Sequence, residues 1–337
     1  MIDRYKELRN ILREGRYFKV VCGAGNEDSE EVRKLTLVYT LAGAVGIDVS
    51  ANVEVVEAAM KGIDQAYNLA ALINKEIIIR PFITVSVGLK GDPHVRKARI
   101  CAEKCSQCGL CLDACEQDAI NEDFNVVDIR CVGCGKCAEV CQFEAVTFYT
   151  RKVDFNEILP KCLDAGAENI ELHAIIDDDD SVMSDWRIID GLVQNNFVSM
   201  CLDSSQLSDN HLISRINAVH EISGERTIIQ ADGAPMSGGS DNFNTTLQAV
   251  AIADIVRKSK IPVMILASGG TNSKTGDLAR RCNVCLNGVS IGTFARKIVR
   301  DLITSKNFET NQSLIKNAVA IAEKVVQDNL RKIQEWN

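Results

Sequence analysis

Eight apolar, strand-like runs alternate along the chain with segments of helical spacing, and this alternation constrains the fold more than any other feature. Helical spacing is clear in residues 29–44 and 244–260 and returns after the last run. Strands that alternate with helices form parallel βαβ units, so eight of them predict an α/β fold, a TIM-like (β/α)₈ barrel. An open doubly wound sheet is the alternative. The runs lie at residues 18–25, 46–52, 81–88, 169–175, 197–204, 227–233, 261–270 and 285–292.

Net charge and hydropathy argue against nucleic acid and a membrane span. The formal net charge of −8 argues against nucleic acid, because phosphate binding needs a basic surface. No apolar run is long enough to span a bilayer. Residues 1–21 carry charges throughout and lack the apolar core of a signal peptide. These features predict a cytoplasmic protein.

Eight of the fourteen cysteines form two copies of C-x2-C-x2-C-x3-C, at residues 105–115 and 131–141. In a reducing compartment such a pattern indicates metal ligation rather than disulfides. Three thiolates of each run fit three corners of a [4Fe–4S] cube, and the fourth cysteine ligates the other cube. A pair of zinc sites is the alternative. The predicted ligand sets are Cys105, Cys108, Cys111 and Cys141 for one cluster, and Cys131, Cys134, Cys137 and Cys115 for the other.

The cysteine segment resembles bacterial two-cluster ferredoxins, with Glu116 and Gln142 in place of the proline that usually follows the fourth cysteine. We predict a ferredoxin-like α+β domain at residues 92–147, inserted after the third barrel strand. The barrel would then comprise residues 1–91 and 148–337. Loops after strands line the active face of such barrels, so the insertion should lie over the mouth. Cys22, Cys162 and Cys201 are interpreted as structural, and Cys101 as lying outside the ligand sets. Cys282 and Cys285 are also interpreted as structural, with a redox or metal pair as the alternative.

The barrel has candidate groups of its own. Glycine-rich loops after the seventh and eighth runs lead into helices and predict a phosphate site for FMN or another phosphate-containing ligand. The alternative is that these glycines only permit tight turns. Glu171, His173 and Asp232 end strands and are candidates for acid–base chemistry or substrate contact, although His173 could equally be structural. The phosphate candidates are Gly269, Gly270, Thr271, Lys274, Gly292 and Thr293.

From about residue 80 to 300 the chain resembles the LdpA-like iron–sulfur proteins. The motifs that carry the resemblance are "DPHVRKA" (92–98), "QADGAPMSG" (230–238) and "SGGTN" (268–272). The resemblance implies cluster-based redox sensing, which in cyanobacteria reports the cellular redox state to the circadian clock.

Two functions follow as leading hypotheses. In the first, the clusters exchange electrons with a redox partner protein and the barrel relays their state. In the second, the protein is an oxidoreductase whose clusters feed electrons to a flavin or a phosphorylated small molecule in the barrel mouth. A barrel kept only as a scaffold for an electron carrier is a third possibility. The sequence leaves open whether the protein is an enzyme.

Overall fold

The computed structural model describes residues 3–23, 25–88, 96–150, 154–204, 207–233 and 239–334. The predicted start of the insertion at residue 92 lies outside these ranges, as does the "APMSG" stretch at 234–238. None of the helices in the described part of the chain is long and apolar enough to cross a bilayer.

Eight parallel strands form a closed barrel and follow one another around it in chain order. Each predicted strand-like run overlaps one of these strands, so the barrel is confirmed and the open-sheet alternative is wrong. The barrel strands are β1 Tyr17–Val21, β2 Gly46–Ser50, β3 Phe82–Gly88, β6 Asn169–His173, β7 Val198–Leu202, β8 Thr227–Asp232, β9 Met264–Ser268 and β10 Gly288–Ile291.

Helices surround the barrel because each buries one apolar stripe against the strands. Side-chain caps begin several of them; the Asp28 carboxylate, for example, accepts the backbone N–H groups of Glu30 and Glu31. The helices outside the cysteine region are α1 Arg4–Arg13, α2 Ser29–Leu41, α3 Val53–Ala70, α6 Phe155–Asp164, α7 Asp179–Leu192, α8 Asp209–Ser223, α9 Phe243–Ser259, α10 Thr275–Arg281, α11 Thr293–Ile303 and α12 Gln312–Gln334.

The apolar core has a large part between strands and helices and a smaller part at one end of the barrel. In the smaller part, Leu8, Ile11 and Leu12 of α1 pack with Tyr17 and Phe82. Tyr17 and Phe82 begin their strands, so α1 closes the amino-terminal end of the barrel. Functional groups are therefore expected at the opposite end, where the strands finish.

Residues 96–150, called the insert below, lie between β3 and α6. Strands β4 Arg96–Ile100 and β5 Val146–Thr150 pair antiparallel, and two single-turn helices lie between them, α4 Leu110–Asp113 and α5 Lys136–Glu139. A small core of its own includes Ala98, Ala119 and Ile120. Strand β5 continues past residue 147, and the predicted domain boundaries stay a prediction.

Candidate functional site

The insert brings its eight repeat cysteines together as two sets of four. Burial raises the pKa of Cys111, and the thiols of Cys105, Cys108 and Cys141 add to that effect. Burial also raises the pKa of Cys137 to about 12, with contributions from Cys134, Cys131 and Cys115. Each set therefore takes its fourth cysteine from the other repeat. We call Cys105, Cys108, Cys111 and Cys141 the outer set, and Cys115, Cys131, Cys134 and Cys137 the inner set.

The backbone repeats with the cysteines. Gly109 and Gly135 occupy equivalent positions before α4 and α5, with φ of 85° and 89°, a region where glycine avoids the steric cost of a side chain. The N–H of Ala119 donates to Cys115 Sγ at 3.3 Å, and the N–H of Ala145 donates to Cys141 Sγ at 3.4 Å. Such donors stabilise a thiolate, and the bond from Ala145 helps to lower the pKa of Cys141. The donor set thus fits an anionic, thiolate-bound metal cluster.

The two sets differ in their exposure to solvent. Cys108 of the outer set is exposed, whereas Cys131 and Cys137 of the inner set are 8% and 7% exposed. All four inner cysteines line one cavity, together with apolar groups such as Val126 and Phe148. The inner set is therefore the more buried site and the outer set the more solvent-accessible one.

Lys97 holds the insert on the barrel. Its buried ammonium donates to the carbonyl of Gly25 in the loop after β1, and to the carbonyls of Asp128 (2.8 Å) and Cys131 (2.9 Å) in the insert. The Arg130 guanidinium, 3.2 Å from the Asp28 carboxylate, adds an ion pair across the same junction. The insert therefore docks beside the carboxyl end of β1, with the inner set at the contact.

Arg296 of α11 lies at a second junction between barrel and insert. Its Nη1 donates to the carbonyl of Cys22 (3.1 Å) and to Gln117 Oε1 (3.4 Å) of the insert. Burial lowers the pKa of Arg296, while the nearby Glu31 carboxylate and the thiol of Cys134 favour its charge. Arg296 lines a cavity of about 680 Å³ that also includes Thr293, Lys297 and Arg300. A cation thus lies between the inner set and this cavity.

A buried ion cluster occupies the barrel interior. Lys19 Nζ lies 2.6 Å from Asp48 Oδ2 and also contacts Glu171 Oε2. Burial opposes protonation of Lys19, but the two carboxylates outweigh it and raise the pKa of Lys19. Burial likewise opposes ionisation of Glu171, yet Lys19 and His173 lower the pKa of Glu171 to about 2. Burial raises the pKa of Asp48, and the charge of Glu171 adds to that shift.

The predicted acid–base residues are only partly brought together. His173 Nε2 lies 3.4 Å from Glu171 Oε1, and both side chains are buried. Asp232 is buried at the end of β8, where its Oδ1 approaches within 2.0 Å of the position that a Cβ on Gly269 would take. A catalytic role for the three residues stays a prediction.

The predicted phosphate residues have other contacts in the structure. Thr271 is buried and donates to the carbonyl of Ser290. Lys274 directly precedes α10 and is half-buried, with its ammonium 3.9 Å from the Asp241 carboxylate. Gly269 and Gly270 have φ of 62° and 71° and form a tight turn. Gly292 directly precedes α11, and Thr293 is its first residue. Phosphate or FMN binding by these loops stays a prediction.

Sequence reasoning missed Lys19, Asp48 and Arg296. Charged residues within the apolar runs "FKVV" and "GIDVS" were a usable signal, because a barrel strand enclosed on both faces rarely holds an unpaired charge. Cys201 was interpreted as structural, but its thiol lies within 4.8 Å of ligand atoms of both Glu171 and His173. No comparable sequence signal marked Arg296.

Comparisons with known proteins agree with both parts of the molecule. Residues 126–147, which span the second cysteine run, match the 4Fe-4S binding domain family. Residues 162–328 match the family "Light dependent period A C-terminal domain". The fold and these matches define an α/β-barrel protein with a 4Fe–4S binding motif.

A comparison over most of the chain finds the same resemblance. The chain is 29% identical over 329 residues to Light dependent period A from Synechococcus elongatus, covering 92% of this chain and 90% of that protein. The resemblance to the LdpA-like proteins that the sequence motifs predicted is confirmed.

Solved structures of barrel enzymes are more distant. The aldolase YdjI from Escherichia coli K12 aligns with a TM-score of 0.46 at 8% identity, covering 98% of this chain and 96% of that one. A Mycobacterium tuberculosis tryptophan synthase gives 0.47 at 9% identity, with 99% of each chain covered. Likeness of this size carries no conclusion about activity.

Proposed function

We propose that the protein carries two [4Fe–4S] clusters and uses them to transfer electrons or to sense redox state together with a partner protein. The observation that carries the proposal is the grouping of the eight cysteines into two sets of four, each completed by a cysteine from the other repeat. Bound clusters would supply one-electron transfer. A zinc pair would need no exchange of the fourth cysteine between repeats.

The surroundings of the two sets support an electron path that runs between a partner protein at the outer set and the barrel at the inner set. The outer set includes the exposed Cys108, and the apolar side chains of Leu110 and Phe143 beside this set are 42% and 48% exposed. Exposed apolar side chains are typical of surfaces that meet another protein. The inner set faces the barrel through Lys97 and Arg296. We infer that a redox partner meets the outer set and that the barrel responds to the inner one.

Iron and sulfide analysis of anaerobically purified protein tests the cluster number. About eight of each per chain are expected for two [4Fe–4S] clusters. Cys115→Ser should disturb the inner cluster and Cys141→Ser the outer one, each followed by electron paramagnetic resonance of the reduced protein. About four irons in the wild type would contradict two clusters. If Cys115→Ser disturbed only the cluster of Cys105, Cys108 and Cys111, the exchange of ligands would be wrong.

An oxidoreductase is the second candidate, because residues 116–118, which directly follow Cys115 of the inner set, line the 680 Å³ cavity together with residues of α11. In that case the inner cluster would pass electrons to a flavin or a phosphorylated compound bound on the barrel side. Acid release followed by flavin fluorescence and mass spectrometry distinguishes the two candidates. Release of stoichiometric flavin supports the enzyme, and its absence together with no phosphate-containing ligand supports the sensor.

A further inference from the structure

We propose a mononuclear metal site inside the barrel, in which Glu171, His173 and Cys201 bind a divalent ion of the Zn²⁺ class. The site is separate from the cysteine sets of the insert. One carboxylate oxygen, one imidazole nitrogen and one thiolate sulfur would be its protein ligands.

Strand register places the three groups together. His173 of β6 pairs with Cys201 of β7, so their side chains leave the sheet on the same face. Glu171 precedes His173 by two residues and therefore shares that face. The three ligand atoms all lie within 4.8 Å of one another, and all three residues are buried.

The distance between Glu171 and His173 is compatible with a metal ion that both residues bind. Oε1 and Nε2 are 3.4 Å apart, which is longer than the usual range for a direct hydrogen bond. Zinc bonds to oxygen and nitrogen of about 2.0–2.1 Å give a tetrahedral edge of about 3.4 Å. A metal ion fits between the two atoms with little movement of either side chain.

Neighbouring groups prepare the carboxylate for this role. Lys19 and Ser199 both contact Glu171 Oε2, which turns Oε1 toward His173. Partners of this kind fix the orientation of metal ligands in known sites. Lys19 is also one cation between two buried carboxylates, those of Asp48 and Glu171. A divalent ion with the Cys201 thiolate would bring this group of charges to neutrality.

The mixed ligand set indicates the class of metal. Thiolate favours soft or borderline ions and imidazole suits zinc, whereas calcium and magnesium prefer oxygen alone. Three protein ligands leave the fourth tetrahedral position open, as in catalytic rather than structural zinc sites. Water or a small ligand with a metal-binding oxygen would occupy that position.

Metal analysis of the full-length, cluster-containing protein tests the site. After loading with zinc sulfate and dialysis, the wild type should retain about one zinc per chain with its iron content unchanged. Cys201→Ser and His173→Gln should each lose at least about ten-fold in zinc affinity, in line with loss of a ligand. Cys162→Ala is the control, because it removes a buried thiol from α6 that is not among the three proposed ligands, and should leave zinc unchanged.

X-ray absorption at the zinc edge of the wild type decides the outcome even where a variant folds poorly. One sulfur at about 2.3 Å, with nitrogen and oxygen ligands at about 2.0 Å, is expected. Zinc surrounded mainly by sulfur would be an ion in the cysteine sets, and would overturn the proposal. So would a wild type without zinc after loading, or zinc that both substitutions leave in place.

Discussion

Lys19 lies inside the barrel, where its side chain is 2% exposed and pairs with the carboxylates of Asp48 and Glu171. Removing one member of a buried ionic group leaves the others without compensation, which is more costly than losing a surface pair. Lys19→Met should therefore destabilise the fold by about 3–5 kcal/mol. Urea unfolding followed by circular dichroism, under anaerobic conditions, measures the change.

The control for Lys19→Met is Lys258→Met, whose side chain is 75% exposed and pairs with Asp254 one helical turn away. Loss of such a surface pair changes stability by about 0.5 kcal/mol or less. Equal stability of the two variants would mean that Asp48 and Glu171 are not held as ions by Lys19.

Arg296 is the second residue whose charge should matter, and its prediction rests on the proposed clusters. A buried cation near Cys134 stabilises the more negative, reduced state of the inner cluster, so Arg296→Met should lower its reduction potential. A unit charge about 10 Å away at an effective dielectric of about 20 contributes about 1.7 kcal/mol, or about 70 mV for one electron. Redox titration monitored by electron paramagnetic resonance measures the reduction potential of the inner cluster.

The control for Arg296→Met is Arg296→Lys, which keeps the charge and should shift the potential far less. Equal shifts in both variants would contradict an electrostatic cause.

Among the loops, the turn after β9 depends most clearly on glycine. Gly269 has a φ of 62°, and an added Cβ would lie 2.0 Å from Asp232 Oδ1. Gly269→Ala should therefore cost about 1–3 kcal/mol or more, from backbone strain and from displacement of Asp232. Thermal unfolding measures the stability of Gly269→Ala, and two other glycine substitutions serve for comparison.

Substitutions at two other glycines distinguish backbone strain from displacement of Asp232 as the cause of the lost stability. Gly43 has a φ of 87° but open space around it, so Gly43→Ala should show the backbone strain alone. Gly191 lies in α7, where an added Cβ would meet no other atom within 4 Å, so Gly191→Ala should be neutral or slightly stabilising. If Gly269→Ala were no worse than Gly43→Ala, Asp232 would not be held in place by the turn.

Strands and cysteine sets could be predicted because their signals are local. Apolar runs mark enclosed strands, and the 26-residue offset between the two cysteine runs, seen for example between Cys115 and Cys141, predicts the exchange of the fourth cysteine. The barrel interior could not be predicted in the same way, because Lys19 and Glu171 meet only when the sheet closes. Cys201 joins His173 through strand register, which apolar periodicity does not reveal.

At the scale of the whole molecule, the proposed communication between clusters and barrel requires that the insert stays docked on the barrel. The Lys97 ammonium bridges three backbone carbonyls, those of Gly25, Asp128 and Cys131. A buried carbonyl without its donor carries a penalty of about 1–3 kcal/mol. Lys97 therefore stabilises the one arrangement in which the inner set contacts the loop after β1.

Lys97→Met should loosen the docked insert while leaving the barrel folded. Hydrogen exchange followed by mass spectrometry should show faster exchange in residues 25–31 and 127–134, with unchanged protection of β7 and β8, since local opening affects only the segments that lose contacts. Lys136→Met is the matched control, because Lys136 pairs with Glu116 inside the insert at 2.9 Å. Faster exchange of residues 25–31 in both variants would mean that insert stability, rather than the Lys97 bridge, sets the docking. Unchanged exchange in Lys97→Met would show that the ion pair of Arg130 with Asp28 and the contacts of Arg296 suffice to hold the insert on the barrel.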